Sequence, residues 1–224
     1  MSGVYIVDIK EMDIKKKRVM VYFIEAAREV LSSCGVDGIT IRKIAGMAGY
    51  NSATLYNYFD DLQHLVLFAS ISYLREYVSA LSNNLRPCKN AKERYRMVYV
   101  TFDYFSFRSP EIFYNMFFGS QKAKLTDIIT VYYDLFPDEI KNHTDAVRGM
   151  LTQGNMYLRD KPLVTELAKE GFIKDDRVTY LYEIMPRVHQ SYLHEMLDKN
   201  LSLDPDAQHR KFIDVFDYLV KTAE

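Results

Sequence analysis

Residues 40–59 decide the fold: Thr40-Ile41-Arg42-Lys43-Ile44-Ala45, then Gly49, then Thr54-Leu55-Tyr56-Asn57-Tyr58-Phe59. The Thr40 hydroxyl suits the N-cap of a short helix ending near Ala48, where it can accept a first-turn N–H. Ile41, Ile44, Ala45 and Ala48 recur at three- and four-residue steps and give that helix one apolar face. Gly49 supplies the left-handed stop. Asn51 or Ser52 caps a further short helix through Tyr58, with Leu55 and Phe59 turned inward. Two short helices joined by a tight turn at a glycine make a helix-turn-helix, whose second helix enters the major groove of DNA. Its outward face carries Ser52, Ala53, Thr54, Tyr56 and Asn57, small and polar side chains plus one long phenol. Thr40, Arg42 and Lys43 stand on the neighbouring helix start.

Upstream, the spacing of Met20, Phe23, Ile24, Ala27, Val30, Leu31 and Cys34 predicts a bracing helix from about Ile14 to Cys34, stopped by Gly35. Cys34 reads as a core residue. Lys15-Lys16-Lys17-Arg18 is either a solvated helix start or a phosphate contact. Residues 1–13 read as a loose arm. Downstream, Asp60 and Asp61 cap a long helix to about Leu85, roughly 37 Å at ~1.5 Å per residue, enough to join two domains.

Helices are predicted over about 91–108, 110–118, 121–135, 144–159, 163–170, 174–199 and 205–222. Pro162 and Gly171 bracket the 163–170 element, and Pro186 kinks or restarts the 174–199 element. The fold class is therefore all-α. It has an N-terminal three-helix helix-turn-helix head (1–61) and a helical body for effector binding and dimerisation (62–224).

The stretch from Phe23 to about Leu67 resembles the TetR/AcrR family of bacterial transcriptional regulators. The resemblance is carried by Phe23-Ile24-x-Ala26-Ala27, the Gly35 stop, Thr40–Ala45, Ala48-Gly49 and Thr54–Phe59. It implies that Thr40 touches phosphate and that Arg42 reads a base, Arg to guanine being the commonest specific contact. It also implies that Ser52, Ala53, Tyr56 and Asn57 face bases or phosphates. Asp60-Asp61-Leu62 departs from the basic residues usual in the family after the recognition helix. Residues 1–60 hold 8 Lys+Arg against 7 Asp+Glu, a net of +1, and the remainder 21 against 23. Fewer phosphate contacts mean a shallower salt dependence.

The middle of the chain is aromatic. Phe102, Tyr104, Phe105, Tyr114 and Phe117, with Met150 and Met156, are candidates for an apolar effector cavity, and a filled core fits the same spacing. Leu181, Met185, Val188 and Tyr192, then Phe212, Phe216 and Leu219, form two broad apolar stripes. A two-fold dimer burying them as a four-helix bundle is the expectation, and it is what the resemblance implies.

The 224 residues carry a formal charge of -1, so electrostatics alone do not announce a nucleic-acid binder. Cys34 and Cys88 are too few for a disulfide framework and fit a reduced, cytosolic compartment. No apolar run approaches the roughly 18–20 residues of a membrane span. No two of the five histidines stand four residues apart, and neither a nucleophile elbow nor a phosphate-cradling glycine loop occurs. Neither enzyme chemistry nor a cofactor or metal is expected. The expected function is a ligand-responsive regulator, most simply a repressor. It binds a palindromic site on double-stranded DNA as a homodimer and is released by a small apolar or aromatic effector. The alternative is a helical small-molecule binding protein with a degenerate DNA-binding head.

Overall fold

The computed structural model describes residues 12–141, 149 and 152–224. Every regular element among them is helical, in agreement with the sequence reading. Helix α1 (Ile14–Cys34) starts at Asp13, whose carboxylate accepts from the Lys15 N–H, and ends at Gly35 with φ 66°. It buries Phe23, Ile24, Ala27 and Val30 completely, and these residues pack on α2 (Ile41–Ala48) and α4 (Leu62–Ser70). Between α2 and α4 lies the single turn α3 (Ser52–Leu55).

The body is built from α5 (Ser72–Leu85), α6 (Ala91–Ser106), α7 (Pro110–Phe118), α8 (Leu125–Leu135), α9 (Met156–Lys169), α10 (Val178–Glu195) and α11 (Pro205–Thr222). Helix α6 lies at its centre, against α5, α7, α9 and α11.

Four sequence expectations need correction. The helix expected to run unbroken to Leu85 is interrupted at Ile71. There Ile71 N–H bonds Phe68 O and Leu74 N–H bonds Ile71 O, three residues back rather than four. The cause is local: the Ser70 hydroxyl donates to Val66 O at 2.8 Å and the Ser72 hydroxyl to Ala69 O at 2.7 Å, in competition with the backbone ladder. Pro162 does not bracket a helix but sits inside α9. The carbonyl it leaves without a donor belongs to Leu158, which is exposed to water, as Pro162 itself is. Helix α10 likewise continues through Pro186 without restarting. Much of the element expected over 144–159 lies outside the described residues, Gly149 and Thr152 are helical, and 153–155 are not, so the element is broken before α9 begins at Met156.

Head and body share packing. Leu65 to Ile71 are buried without interruption, so α4 is enclosed on all sides beyond its first turn and touches α1, α7 and α8. Arg28 on α1 donates to Glu139 at 3.2 Å, and Glu139 also accepts the Tyr132 hydroxyl at 2.7 Å.

Candidate functional site

The helix-turn-helix forms as its residues dictate. Thr40 is extended (φ −139°, ψ 147°), and its Oγ1 accepts the Lys43 N–H at 3.2 Å, the N-cap geometry. Gly49 takes φ 78° and ψ 25°, where a side chain would be strained. Its N–H bonds Gly46 O and the Tyr50 N–H bonds Ala45 O, the paired closure of a Schellman motif. Asn51, not Ser52, caps α3, its Oδ1 accepting both the Thr54 N–H and the Thr54 hydroxyl at 3.0 Å.

The α-helical part of α3 ends at Leu55 rather than Tyr58. Asn57 and Tyr58 continue as three-residue turns, and Phe59 N–H returns to Leu55 O. Leu55 and Phe59 are buried, and Phe59 makes edge contacts with Phe23 (6.3 Å) and Phe68 (5.5 Å). That aromatic cluster fixes how the recognition turn stands on α1 and α4.

Above it, Thr40, Arg42, Lys43, Ser52, Ala53, Tyr56 and Asn57 are all exposed, and Thr54 is half-buried through its bond to Asn51. These residues form one outward surface made of a helix start, a short turn and a phenol. Lys15, Lys16 and Arg18 are exposed on the first turns of α1.

The acidic departure from the family pattern has structural employment. Asp61 Oδ1 accepts the His64 N–H at 2.7 Å and N-caps α4. Asp60 pairs with Lys124 at 2.9 Å, tying the head to the turn before α8, and the Lys124 hydrogen bond holds its carboxyl below the usual range. Leu62 is half-buried against the core. None of the three is a residue that has replaced a DNA contact with nothing.

Cys34 is not a core residue. As the last residue of α1 it faces water, and Lys43 donates to its sulfur at 3.0 Å. The hydrogen bond to Ser33 first, then Lys43, holds the thiol below its ordinary pKa.

The effector candidates divide between two places. Phe102 and Met156 are buried and line a cavity of about 20 Å³ between α5, α6 and α9, together with Tyr77, Tyr99, Arg159 and Asp160. Phe117 lies beside it, under the Arg159 guanidinium at 5.0 Å. Tyr104 and Phe105 instead line an open groove of about 280 Å³ between α5, α6 and α11, where Arg108 stacks on Tyr104 and pairs with Asp206 at 2.6 Å. Tyr114 belongs to neither, stacking on His194 at 5.4 Å. Met150 lies outside the described residues.

Sequence reasoning missed Arg159 and Asp160. Both are buried on α9, on the apolar stripe that runs through Met156, Leu163, Val164 and Leu167. A charged pair on such a stripe was the signal available. The hydroxyls of Tyr99 and Tyr95 each bond Asp160 at 3.0 Å, yet burial pushes its carboxyl up to about 8.

The dimer candidates are corrected in part. Leu181, Met185, Phe212 and Phe216 are buried inside the chain, Phe212 among Tyr99, His189 and Tyr192 and Phe216 against Tyr95 and Tyr99. The central aromatic helix α6 covers Phe212 and Phe216, and α10 packs on α7, α9 and α11, so none of the four needs a second copy. Val188, Tyr192 and Leu219 are half-buried. The large apolar side chains that α10 and α11 expose are Tyr180 (63%), Ile184 (41%) and Tyr218 (66%).

Residues 23–67 match the family model described as bacterial regulatory proteins, tetR family. No curated protein matches the chain. Solved structures do. FadR from Thermus thermophilus, a TetR-family transcriptional repressor in complex with lauroyl-CoA, is 13% identical with a TM-score of 0.57, covering 88% of this chain and 92% of that one. RolR in complex with resorcinol is 14% identical with a TM-score of 0.56, covering 93% and 89%. FadR from Bacillus subtilis in complex with stearoyl-CoA is 16% identical with a TM-score of 0.53, covering 91% and 99%. Residues 23–67 thus match the tetR family of bacterial regulatory proteins, and the chain as a whole shares the fold of solved structures that include a TetR-family repressor.

Proposed function

We propose that the chain is a ligand-responsive transcriptional regulator of the TetR type, a repressor that binds a palindromic DNA site as a homodimer and leaves it when a small effector enters the body. The observation that carries this reading is the exposed surface of Thr40, Arg42, Lys43, Ser52, Ala53, Tyr56 and Asn57, raised on a helix-turn-helix whose buried side is fully packed. Arg42 reads a base, while Thr40, Lys43 and Tyr56 hold phosphates. Residues 1–61 act as the head and 62–224 as the effector and dimer domain.

Two heads must reach major-groove faces about 34–36 Å apart, which requires a second copy. The exposed Tyr180, Ile184 and Tyr218 of α10 and α11 support a dimer face on these helices. The effector acts where the body meets α4, whose break at Ile71 lets the lower segment move against α5. It releases DNA only by binding the DNA-incompetent arrangement more tightly. Similar structures whose printed descriptions name lauroyl-CoA, stearoyl-CoA or resorcinol as ligand support a ligand-responsive body. Among the described residues no helix is long and apolar enough to cross a membrane. The proposed site of action is the cytoplasm, where the DNA is.

The test is binding to a labelled duplex across a salt series. The association constant is expected to fall linearly with salt on logarithmic axes, less steeply for Lys43→Ala. Binding that ignores salt contradicts the reading.

A further inference from the structure

Arg159 is 5% exposed, and its Nη1 has no hydrogen-bond partner. Among the described residues the groups that act on its charge are the phenols of Tyr77, Tyr133 and Tyr99, with no carboxylate among them, and the ring of Phe117 lies 5.0 Å from its centre. A guanidinium does not give up its proton in a protein, so it stays cationic there. A buried charge without a counter-charge is strongly unfavourable, and folded chains keep one where something else completes it. Four more accessible arginines differ in this respect. Arg28, Arg94, Arg96 and Arg108 each hold a carboxylate at 3.2 Å or less.

The neighbouring carboxyl does not complete Arg159. Asp160 is engaged by the Tyr95 and Tyr99 hydroxyls, and burial keeps it protonated at neutral pH. Among the described residues, a cation without an anion and an acid without a charge therefore stand side by side in one wall of the cavity. The other walls, Val98, Phe102, Met156 and Leu163, are apolar.

We infer that this cavity is the head of the effector site and that the effector is a monocarboxylic acid with an apolar or aromatic body, its carboxylate paired with Arg159 and its body laid against Phe102 and Met156. One cation facing one neutral acid balances a single negative charge, and the planar guanidinium fork matches a carboxylate in two parallel hydrogen bonds. The neutral Asp160 can share its proton with the same oxygens, whereas an ionised one would repel them. At about 20 Å³ the cavity holds no such molecule without separation of α9 from α5 and α6. Binding is thereby coupled to a change of shape, which a switch requires. The inference rests on the regulator reading above and specifies its ligand.

The experiment is calorimetric titration of the full chain with benzoate, 4-phenylbutanoate and octanoate, each beside its neutral amide, repeated with Arg159→Met and Arg159→Lys. At least one acid is expected to bind wild type about tenfold or more tighter than its amide, as loss of a charge-assisted hydrogen bond requires. Arg159→Met, which replaces a buried charge with a side chain of similar volume, should fold, lose that preference and keep the amide's affinity. Arg159→Lys should retain a weaker preference for the acid. Equal affinity of acid and amide, no binding of any acid up to its solubility, or a preference that survives Arg159→Met overturns the inference. Release of a bound duplex is measured in parallel. An acid that binds through Arg159 but leaves DNA bound keeps the anion site and refutes the regulator reading. Release by the amides alone does the opposite.

Discussion

Replacing Asp160 by Asn tests whether a buried, uncharged carboxyl lies at the centre of the body. The carboxyl stands at about 8 in the folded chain and near its ordinary value of 3.8 when unfolded. Between those limits the unfolded chain has lost the proton and the folded chain has kept it. The unfolded state therefore binds fewer protons, and stability falls as pH rises through the window, by about 1.4 kcal/mol per unit. Below about pH 4 both states are protonated, so Asp160 costs nothing there. Between about pH 5 and pH 8 the loss amounts to about 4 kcal/mol. Asn cannot ionise and keeps both partners, its oxygen accepting from one tyrosine and its amide donating to the other. Urea unfolding of wild type and Asp160→Asn at one protein concentration, at pH steps from 5 to 8, isolates the term. The variant's advantage should be smallest at the acid end, roughly 1–2 kcal/mol, and widen by about 4 kcal/mol toward the alkaline end. Two curves that stay parallel across the range would refute the reasoning.

Gly46 sits in α2 with nothing within 4 Å of where a Cβ would be, so Gly46→Ala should raise stability by roughly 0.5–1 kcal/mol, read as a higher melting temperature. A lower one would mean that the surface above α2 is occupied. Cys34 should react with iodoacetamide at lower pH than Cys88, whose thiol burial pushes up, and Lys43→Met should move the Cys34 profile toward alkaline pH. Identical profiles for the two thiols would contradict the Lys43 contact.

The head was legible because each of its features depends on a few adjacent residues. Thr40, Gly49 and the Leu55–Phe59 spacing specify cap, stop and buried face without reference to anything distant. Helix α1 came out of the sequence with the bounds it has in the structure, between Asp13 and Gly35. The errors share one origin, which is that tertiary context decides them. The interruption at Ile71 depends on two serine hydroxyls turning back onto their own helix, and Pro162 is tolerated on a helix face where it and Leu158 are both exposed. Cys34 follows the apolar period of α1 but lies at its last turn, beyond the edge of the core. The dimer stripes misled for the converse reason. Apolar spacing says that a face is buried, not against what, and α6 buries Phe212 and Phe216 within one chain. Arg159 and Asp160 were hidden by the break expected at Pro162, which cut their helix in two and set them at its boundary.

The most direct test of DNA recognition by the 40–57 surface is selection from a random duplex pool by the purified chain, with Arg42→Ala in parallel. The account predicts enrichment of an inverted repeat whose half-sites lie about one helical turn or a multiple apart, with one position per half-site relaxed in the variant, at a cost of about 1–3 kcal/mol. A pool that stays random for the effector-free, refolded protein, or an enriched site that Arg42→Ala binds with unchanged affinity and preference, would contradict it.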